Sequence, residues 1–454
     1  MKTVFFFIFL LSSFLSFAQE SFVNVGISMH DLKPEIGIPL AGYGSDDRRI
    51  KGFADWTNKY PHSFFFKPSE GVRDPIQSKV MVIEKDGRYL VFVSLDMIGV
   101  TRNFVTALAY KVKHLGIKFD DLIVTGTHTH SGPGTLSKNL ALNLIAVDLF
   151  KQENFDDIVE KTYASILEAY HSIEPADLYS TEFLAQGIQQ NKFRHKDQEW
   201  FDNKASFLLA RSRHDGRWLG GMLNFAVHGN AMHTDDMRYS GDFPGALAKH
   251  IEQHLMGQNQ TSDIVPVLFM NGAEGDVRHK GDRGEEIMEG LAADFAQQAS
   301  AVLKVNKMQK QLPKFKYTQK SIYMGMPGFP LKQCAKRDGY YGNWMKVLPG
   351  KIFRIPMYGF FPMTASLTSI QIGDILMMTW PGETSTSLGW ELQAMAKKEG
   401  YSKSWVLGLT NDYLAYFTNK DEFFESAYDS CSSIYNWRGG KKIIKGHKRI
   451  LSKK

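Results

Sequence analysis

Short apolar runs that stop at polar, glycine-rich motifs recur along this chain, and they constrain its fold more than any other feature. Residues 80–84 and 89–95 flank Asp86-Gly87, which predicts a hairpin. Residues 366–372 and 375–380 do the same about Gly373-Asp374. Further strands are predicted at 122–125, 218–227, 265–270 and 404–409. Between them, residues 104–115, 155–173, 245–255, 284–303 and 384–397 carry apolar side chains at helical spacing. Irregular alternation of strands and helices predicts an α/β fold: a single large domain with a mixed β-sheet and flanking helices. No repeat or low-complexity linker interrupts residues 19–438.

Charge narrows the function classes. The formal net charge is +6, but residues 439–454 carry seven basic side chains and no acid. Setting those and Lys2 aside from the 54 basic groups leaves a body close to neutral against 48 acids. Such a body lacks the broad basic face that nucleic acid demands. Residues 439–454 read as a basic C-terminal tail, a solvated end that can also approach anionic headgroups. Residues 1–18 read as a signal peptide: Lys2, an apolar run over 4–11, then Ser16 and Ala18 at the small positions before a cleavage site. The expected location is therefore periplasmic or extracellular. Cys334 and Cys431 are the only cysteines, too few for a cysteine-rich zinc site. A bridge between them and two separate buried thiols are both open.

Four motifs sit where predicted strands finish, the place where α/β sheets build sites. His128 and His130 follow the strand at 122–125; in extended chain they address one point in space, as metal ligand and proton carrier or as a hydrogen-bonded surface pair. His228 follows 218–227, and reads as a cleft residue or a satisfied core histidine. Glu383 follows Pro381-Gly382, and reads as a carboxylate ligand or a helix cap. Tyr413 and Tyr416 follow 404–409, where aromatic residues are commonly core.

Taken together and in order, Thr127-His-Thr-His-Ser-Gly-Pro-Gly134, Val227-His-Gly229, Ser240-Gly-Asp242, Asn271 to Val277, Pro381-Gly-Glu383 and Gly408 to Tyr416 resemble the neutral/alkaline ceramidase family of secreted zinc amidases. The resemblance spans most of residues 22–436. It implies one zinc ion per chain held by His128, His228, Glu383 and Tyr416, with His130 as general base. Tyr428 matches a tyrosine that polarises the amide carbonyl. Lys192 or Arg194 stands where the family has an arginine, and Arg194 is assigned beside Tyr428 at the oxyanion. The implied reaction is cleavage of ceramide, or a related N-acyl lipid, by zinc-activated water.

Three departures stand out. Arg278 replaces a serine of the family motif, and is expected to receive an anionic substrate group or to pair with a nearby carboxylate. The family's β-rich C-terminal domain has no counterpart in these residues. Residues 321–364 are divergent and rich in aromatic residues and methionine. Other readings on the same scaffold are a zinc hydrolase for a different amide or ester, and a secreted binding protein without turnover. Expected partners are a lipid or N-acyl small molecule and a peripheral membrane contact, the latter suggested by Phe64 to Phe66 and Tyr358 to Phe361. Ordinary core packing is the alternative for those aromatic residues.

Overall fold

Two β-sheets pack face to face and helices cover both outer faces. The computed structural model describes residues 22–192, 199–335, 354–425 and 428–452. The larger sheet contains β1 (Val23–Asp31), β2 (Gln77–Lys85), β3 (Arg88–Leu95), β4 (Leu122–Gly126), β5 (Glu174–Leu184), β6 (Lys204–Ser212), β7 (Trp218–Phe225) and β8 (Val267–Asn271). Its order is β8-β7-β6-β5-β1-β2-β3-β4. Pairing is antiparallel through the middle and parallel at both edges, β3 with β4 and β7 with β8. The smaller sheet holds β9 (Phe315–Tyr323), β10 (Thr364–Ile372), β11 (Ile375–Thr379) and β12 (Lys403–Leu407), with β11 and β12 parallel.

Alternation along the strands explains the layers. Met81, Ile83 and Phe92 on one face of the large sheet share a core with Ile370, Met377 and Trp405 of the small one. Val80, Val82, Val91 and Val93 point the other way, into a core with α1 (Arg102–Val112) and α2 (Gln152–His171). Helices α3 (Asp242–Asn259) and α4 (Glu285–Ser300) cover the other half of that outer face. The small sheet is covered by α5 (Thr386–Lys398) and α6 (Arg438–Leu451). The expected α/β architecture with a mixed sheet and flanking helices is observed. The second sheet is additional, because strands buried on both faces carry no alternation that would assign them to one sheet or another.

Both expected hairpins form. Lys85 pairs with Arg88 across Asp86 and Gly87, both at positive φ, and Ile372 pairs with Ile375. The C-terminal segment differs from a solvated tail. Gly439, Gly440, Ile443, Gly446, His447 and Ile450 form the buried stripe of α6, while Lys441, Lys445, Lys448 and Arg449 stay exposed. A Cβ on Gly446 would lie 2.6 Å from Leu367 Cδ1, so glycine sets the close approach of helix to sheet. Cys334 and Cys431 are joined in a disulfide across 97 residues of sequence.

Of the aromatic run, Phe66 is core. The N–H groups of Phe64, Phe65 and Phe66 all donate to the Asp148 carboxylate, at 3.0–3.2 Å. Residues 1–21, including the expected signal peptide, lie outside the described residues, as does much of 321–364. Among the described residues, no helix is long and apolar enough to cross a membrane.

Candidate metal centre and active site

Three βαβ units aim their strand ends at one place. They are β3-α1-β4, β7-α3-β8 and β11-α5-β12, and in each the two strands run parallel. His128 follows β4, His228 follows β7, Glu274 follows β8, Glu383 follows β11 and Tyr416 lies beyond β12. Carboxyl ends of parallel strands are where such sheets open into loops, so the chain converges there by topology.

Asn271 ties two of these ends together. Its Nδ2 donates to the carbonyls of Thr127 (3.1 Å) and Val227 (2.8 Å), the residues just before the two histidines. Its Oδ1 accepts from the N–H groups of Val227 and Gly272. Thr129 and Gly229 then form a parallel bridge, and a Cβ on Gly229 would fall 2.6 Å from the His128 carbonyl oxygen. Glu383 and Tyr416 are direct partners in a short parallel pairing, which sets their side chains next to each other.

Each histidine ring is fixed by its Nδ1. His128 Nδ1 donates to the carbonyl of Ile98 at 2.7 Å, and His228 Nδ1 to that of Glu274 at 2.9 Å. In the neutral imidazoles the Nε2 atoms then carry lone pairs. They stand 3.2 Å from each other, and each is 3.2 Å from Glu383 Oε2. Tyr416 Oη is 3.3 Å from His228 Nε2. Donors held ~2.0–2.2 Å from one ion at tetrahedral angles lie roughly 3.3–3.6 Å apart, so the spacing suits a small cation. Glu383 Oε2 is buried and has no hydrogen-bond partner, whereas Oε1 accepts from Tyr413 Oη at 2.5 Å. Lone pairs and a carboxylate facing each other without a proton between them repel. A shared cation removes that repulsion, so the donor set fits a bound divalent metal.

His130 stands beside this group. Its ring centroid is 5.1 Å from that of His128 and 5.6 Å from that of His228. Neither ring nitrogen has a hydrogen-bond partner. Burial, then the neighbouring His128 and His228, pushes its pKa well below the usual histidine range. Gly42 makes room for the ring: a Cβ there would lie 2.7 Å from it. The extended path expected for residues 128–130 is not the one observed. His128 is left-handed, with φ 71°, and that turn brings the rings together.

The other expected residues fall in different places. Arg278 is not among the residues lining the chamber described below; its Nη1 donates to the Gly281 carbonyl at 3.2 Å. Arg194 lies outside the described residues, as does the side chain of Tyr428, whose backbone opens a short helix, Tyr428–Ser432. Lys192, the alternative to Arg194, is at the site. Its Nζ is 2.8 Å from His228 Nε2 and 3.2 Å from Nδ1, which puts it over the ring face rather than on one lone pair. Burial lowers its pKa to about 8, against the pull of Glu383 and Glu274. Glu274 and Tyr413 belong to the site and have no role in the sequence reading. Both lie within motifs quoted there, Gly408 to Tyr416 and Asn271 to Val277, but Glu274 is an acid in a glycine-rich loop with no local periodicity to single it out.

An apolar chamber opens from the metal side. Its walls include Met97, Phe104, Leu136, Val147, Phe361 and Ile434, and it reaches His128, His130, Glu383 and Tyr416. The chamber offers a long apolar group a path to the polar cluster.

Comparison with known proteins accords with this arrangement. Residues 63–327 match the family model described as "Neutral/alkaline non-lysosomal ceramidase, N-terminal". The chain is 24% identical to neutral ceramidase A of Dictyostelium discoideum over 229 residues, 47% of this chain and 32% of that protein. It is 23% identical to neutral ceramidase 1 of Arabidopsis thaliana, over 57% of this chain and 35% of that one. It thus spans about a third of the length of these relatives. Neutral ceramidase of Pseudomonas aeruginosa is 22% identical over 87% of this chain and 69% of its own. The crystal structure of a Pseudomonas aeruginosa neutral ceramidase shares the fold, with a TM-score of 0.76 at 16% identity over 95% of this chain and 74% of that one. A structure described as "Ceramidase complexed with C2" gives 0.77 at 15% identity, over 95% and 75%. Since the family model covers more than half of its length, the chain belongs to the neutral/alkaline non-lysosomal ceramidase family.

Proposed function

We propose that the chain is a zinc-dependent amide hydrolase that cleaves an N-acyl lipid of the ceramide class into a fatty acid and a sphingoid amine. The observation that carries this reading is the set of His128, His228 and Glu383 donors at mutual distances of 3.2 Å, open to an apolar chamber. His128, His228, Glu383 and Tyr416 would hold one zinc ion. Two imidazoles, a carboxylate and a phenol oxygen suit that borderline cation. Bound there, zinc supplies Lewis acidity, acidifying water and polarising a carbonyl.

The chain's own groups supply the rest. His130 is neutral and unpartnered, so it can accept a proton from water and return it to the leaving amine. The Lys192 ammonium provides positive charge beside the carbonyl oxygen as it becomes negative. Arg194 and Tyr428 enter by family position alone. The chamber takes the acyl chain and keeps bulk water from the reacting atoms. Arg278 has no assigned role in this scheme.

Access from a lipid surface is part of the proposal. Ile145 lines the chamber and is 50% exposed, and Leu140, Tyr358 and Phe360, each next in sequence to a lining residue, are exposed too. The lysine face of α6 adds attraction to anionic headgroups. Export by residues 1–18 is supported by the Cys334–Cys431 bridge, which suits an oxidising compartment.

Hydrolysis of a fluorescent short-chain ceramide, before and after chelation and after adding back Zn²⁺, tests the reading. Turnover that the chelator abolishes and zinc restores is the expected result. Metal binding with turnover only of another N-acyl compound moves the substrate. A filled site with no turnover on a broad amide and ester panel defeats the enzymatic reading.

A further inference from the structure

Glu274 lies in the loop after β8, between Gly272 and Gly275. Its side chain is fully buried, and neither carboxylate oxygen has a hydrogen-bond partner. One of its oxygens falls within 4.8 Å of donor atoms of both His128 and Glu383. The backbone pins it there. Its carbonyl accepts from Val277 N and from His228 Nδ1, each at 2.9 Å, so one residue orients a metal-site histidine and carries a free acid. Gly275 N donates to the carbonyl of Thr384, next to Glu383. Gly408 leaves the carboxylate its space, since a Cβ there would lie 3.1 Å from Glu274 Oε2.

A buried carboxylate with no donor is costly unless a proton or a cation neutralises it, and two buried acids aimed at one point favour a shared cation. Lys192 is the nearby ammonium, but it packs on His228 and makes no hydrogen bond to Glu274. We infer that Glu274 is a further carboxylate ligand of the metal centre, so that the cation lies between two acids, Glu383 and Glu274, with His128 common to both. The inference rests on the metal-centre reading above. Two carboxylates balance the charge of one divalent ion, and they make the donor set richer in oxygen. Harder ions such as Mn²⁺ therefore compete better for this site than for one with a single acid.

The test is metal affinity, read without turnover. Zn²⁺ and Mn²⁺ dissociation constants are measured by competition with a chromogenic chelator for the full chain, for Glu274→Gln and for Glu383→Gln. Melting temperatures are recorded with and without metal. Glu274→Gln should weaken Zn²⁺ by roughly ten- to a hundredfold and Mn²⁺ by more. Its metal-free form should melt within a few degrees of the parent, because the amide fills the same buried space. A merely structural glutamate would lower the metal-free melting temperature and leave the metal affinities unchanged. Glu274→Asp keeps the charge but withdraws it by one methylene; it should also weaken Zn²⁺, and it serves where the Gln protein folds poorly. If Glu383→Gln loses metal while both Glu274 variants bind within twofold of the parent, the inference falls and the metal centre stands. If Glu383→Gln also binds normally, both fall.

Discussion

The Nε2 atoms of His128 and His228 face each other at 3.2 Å, and as neutral rings neither has a proton to give there, because each donates to a main-chain carbonyl through Nδ1. Without a cation, this contact is repulsive. Removing one ring should abolish metal binding and also relieve the repulsion. His228→Ala is expected to lose stoichiometric zinc by elemental analysis and to melt no lower, without metal, than the metal-free parent by more than a few degrees.

His130 touches none of the metal-site donors by hydrogen bond, so its removal separates proton transfer from metal holding. His130→Ala should retain its zinc and lose about 10²–10⁴-fold in kcat, the usual span for a general acid–base group. Parallel metal analysis and steady-state kinetics check both halves.

Asn271 joins the strand ends that carry the two histidines. Asn271→Ala removes a partner from two buried carbonyls and from the Val227 N–H, while the Gly272 N–H keeps the Phe225 carbonyl; each buried group left unsatisfied costs ~1–3 kcal/mol. A loss of roughly 3 kcal/mol or more in stability is expected, together with weaker zinc binding. Denaturant unfolding and chelator competition would measure these losses, and unchanged zinc affinity would show that the two histidines are held by other means.

Asp429 carries the pH prediction. Burial first, then Asp276 and Glu422, raises its carboxyl to about 7, against about 3.9 in an unfolded chain. The folded state therefore binds more protons than the unfolded one between those values. The stability this group contributes is full below pH ~4 and is lost as pH rises through about 7, at up to about 1.4 kcal/mol per pH unit. Asp429→Asn should flatten the fall in melting temperature between pH 5 and 7.5.

The Cys334–Cys431 bridge closes a loop of nearly a hundred residues. In the chain-entropy account such a loop contributes about 4–5 kcal/mol. Reduction, or Cys431→Ser, is expected to lower stability by roughly 3–5 kcal/mol in denaturant titration. A midpoint that does not move on reduction would mean that the bridge is not formed in solution.

Much of this architecture is legible in the residues themselves. The Asp86-Gly87 and Gly373-Asp374 hairpins announce themselves because turn chemistry and alternation agree. The ligand-bearing loops are legible because each follows a run of β-branched and aromatic residues. Three things are not. The two-sheet sandwich is hidden because strands such as β11, buried on both faces, look alike whichever sheet they join. Helix α6 is masked by its lysines, which obscure a Gly439, Ile443, Gly446, Ile450 stripe at helical spacing. Glu274 lies within a motif that the sequence shows but takes its place through contacts with residues far away in the chain, and only the fold favours Lys192 over Arg194 as the basic group described at the site.

The convergence of three crossovers has a consequence for biosynthesis. No single βαβ unit contributes more than a fragment of the cage, and the last donors, Glu383 and Tyr416, arrive near the C-terminal end of the chain. On the proposed reading, a polypeptide ending before them keeps His128 and His228 but lacks the Glu383 carboxylate between them, and should hold a metal ion more weakly. Metal affinity would then report that all three crossovers have been made.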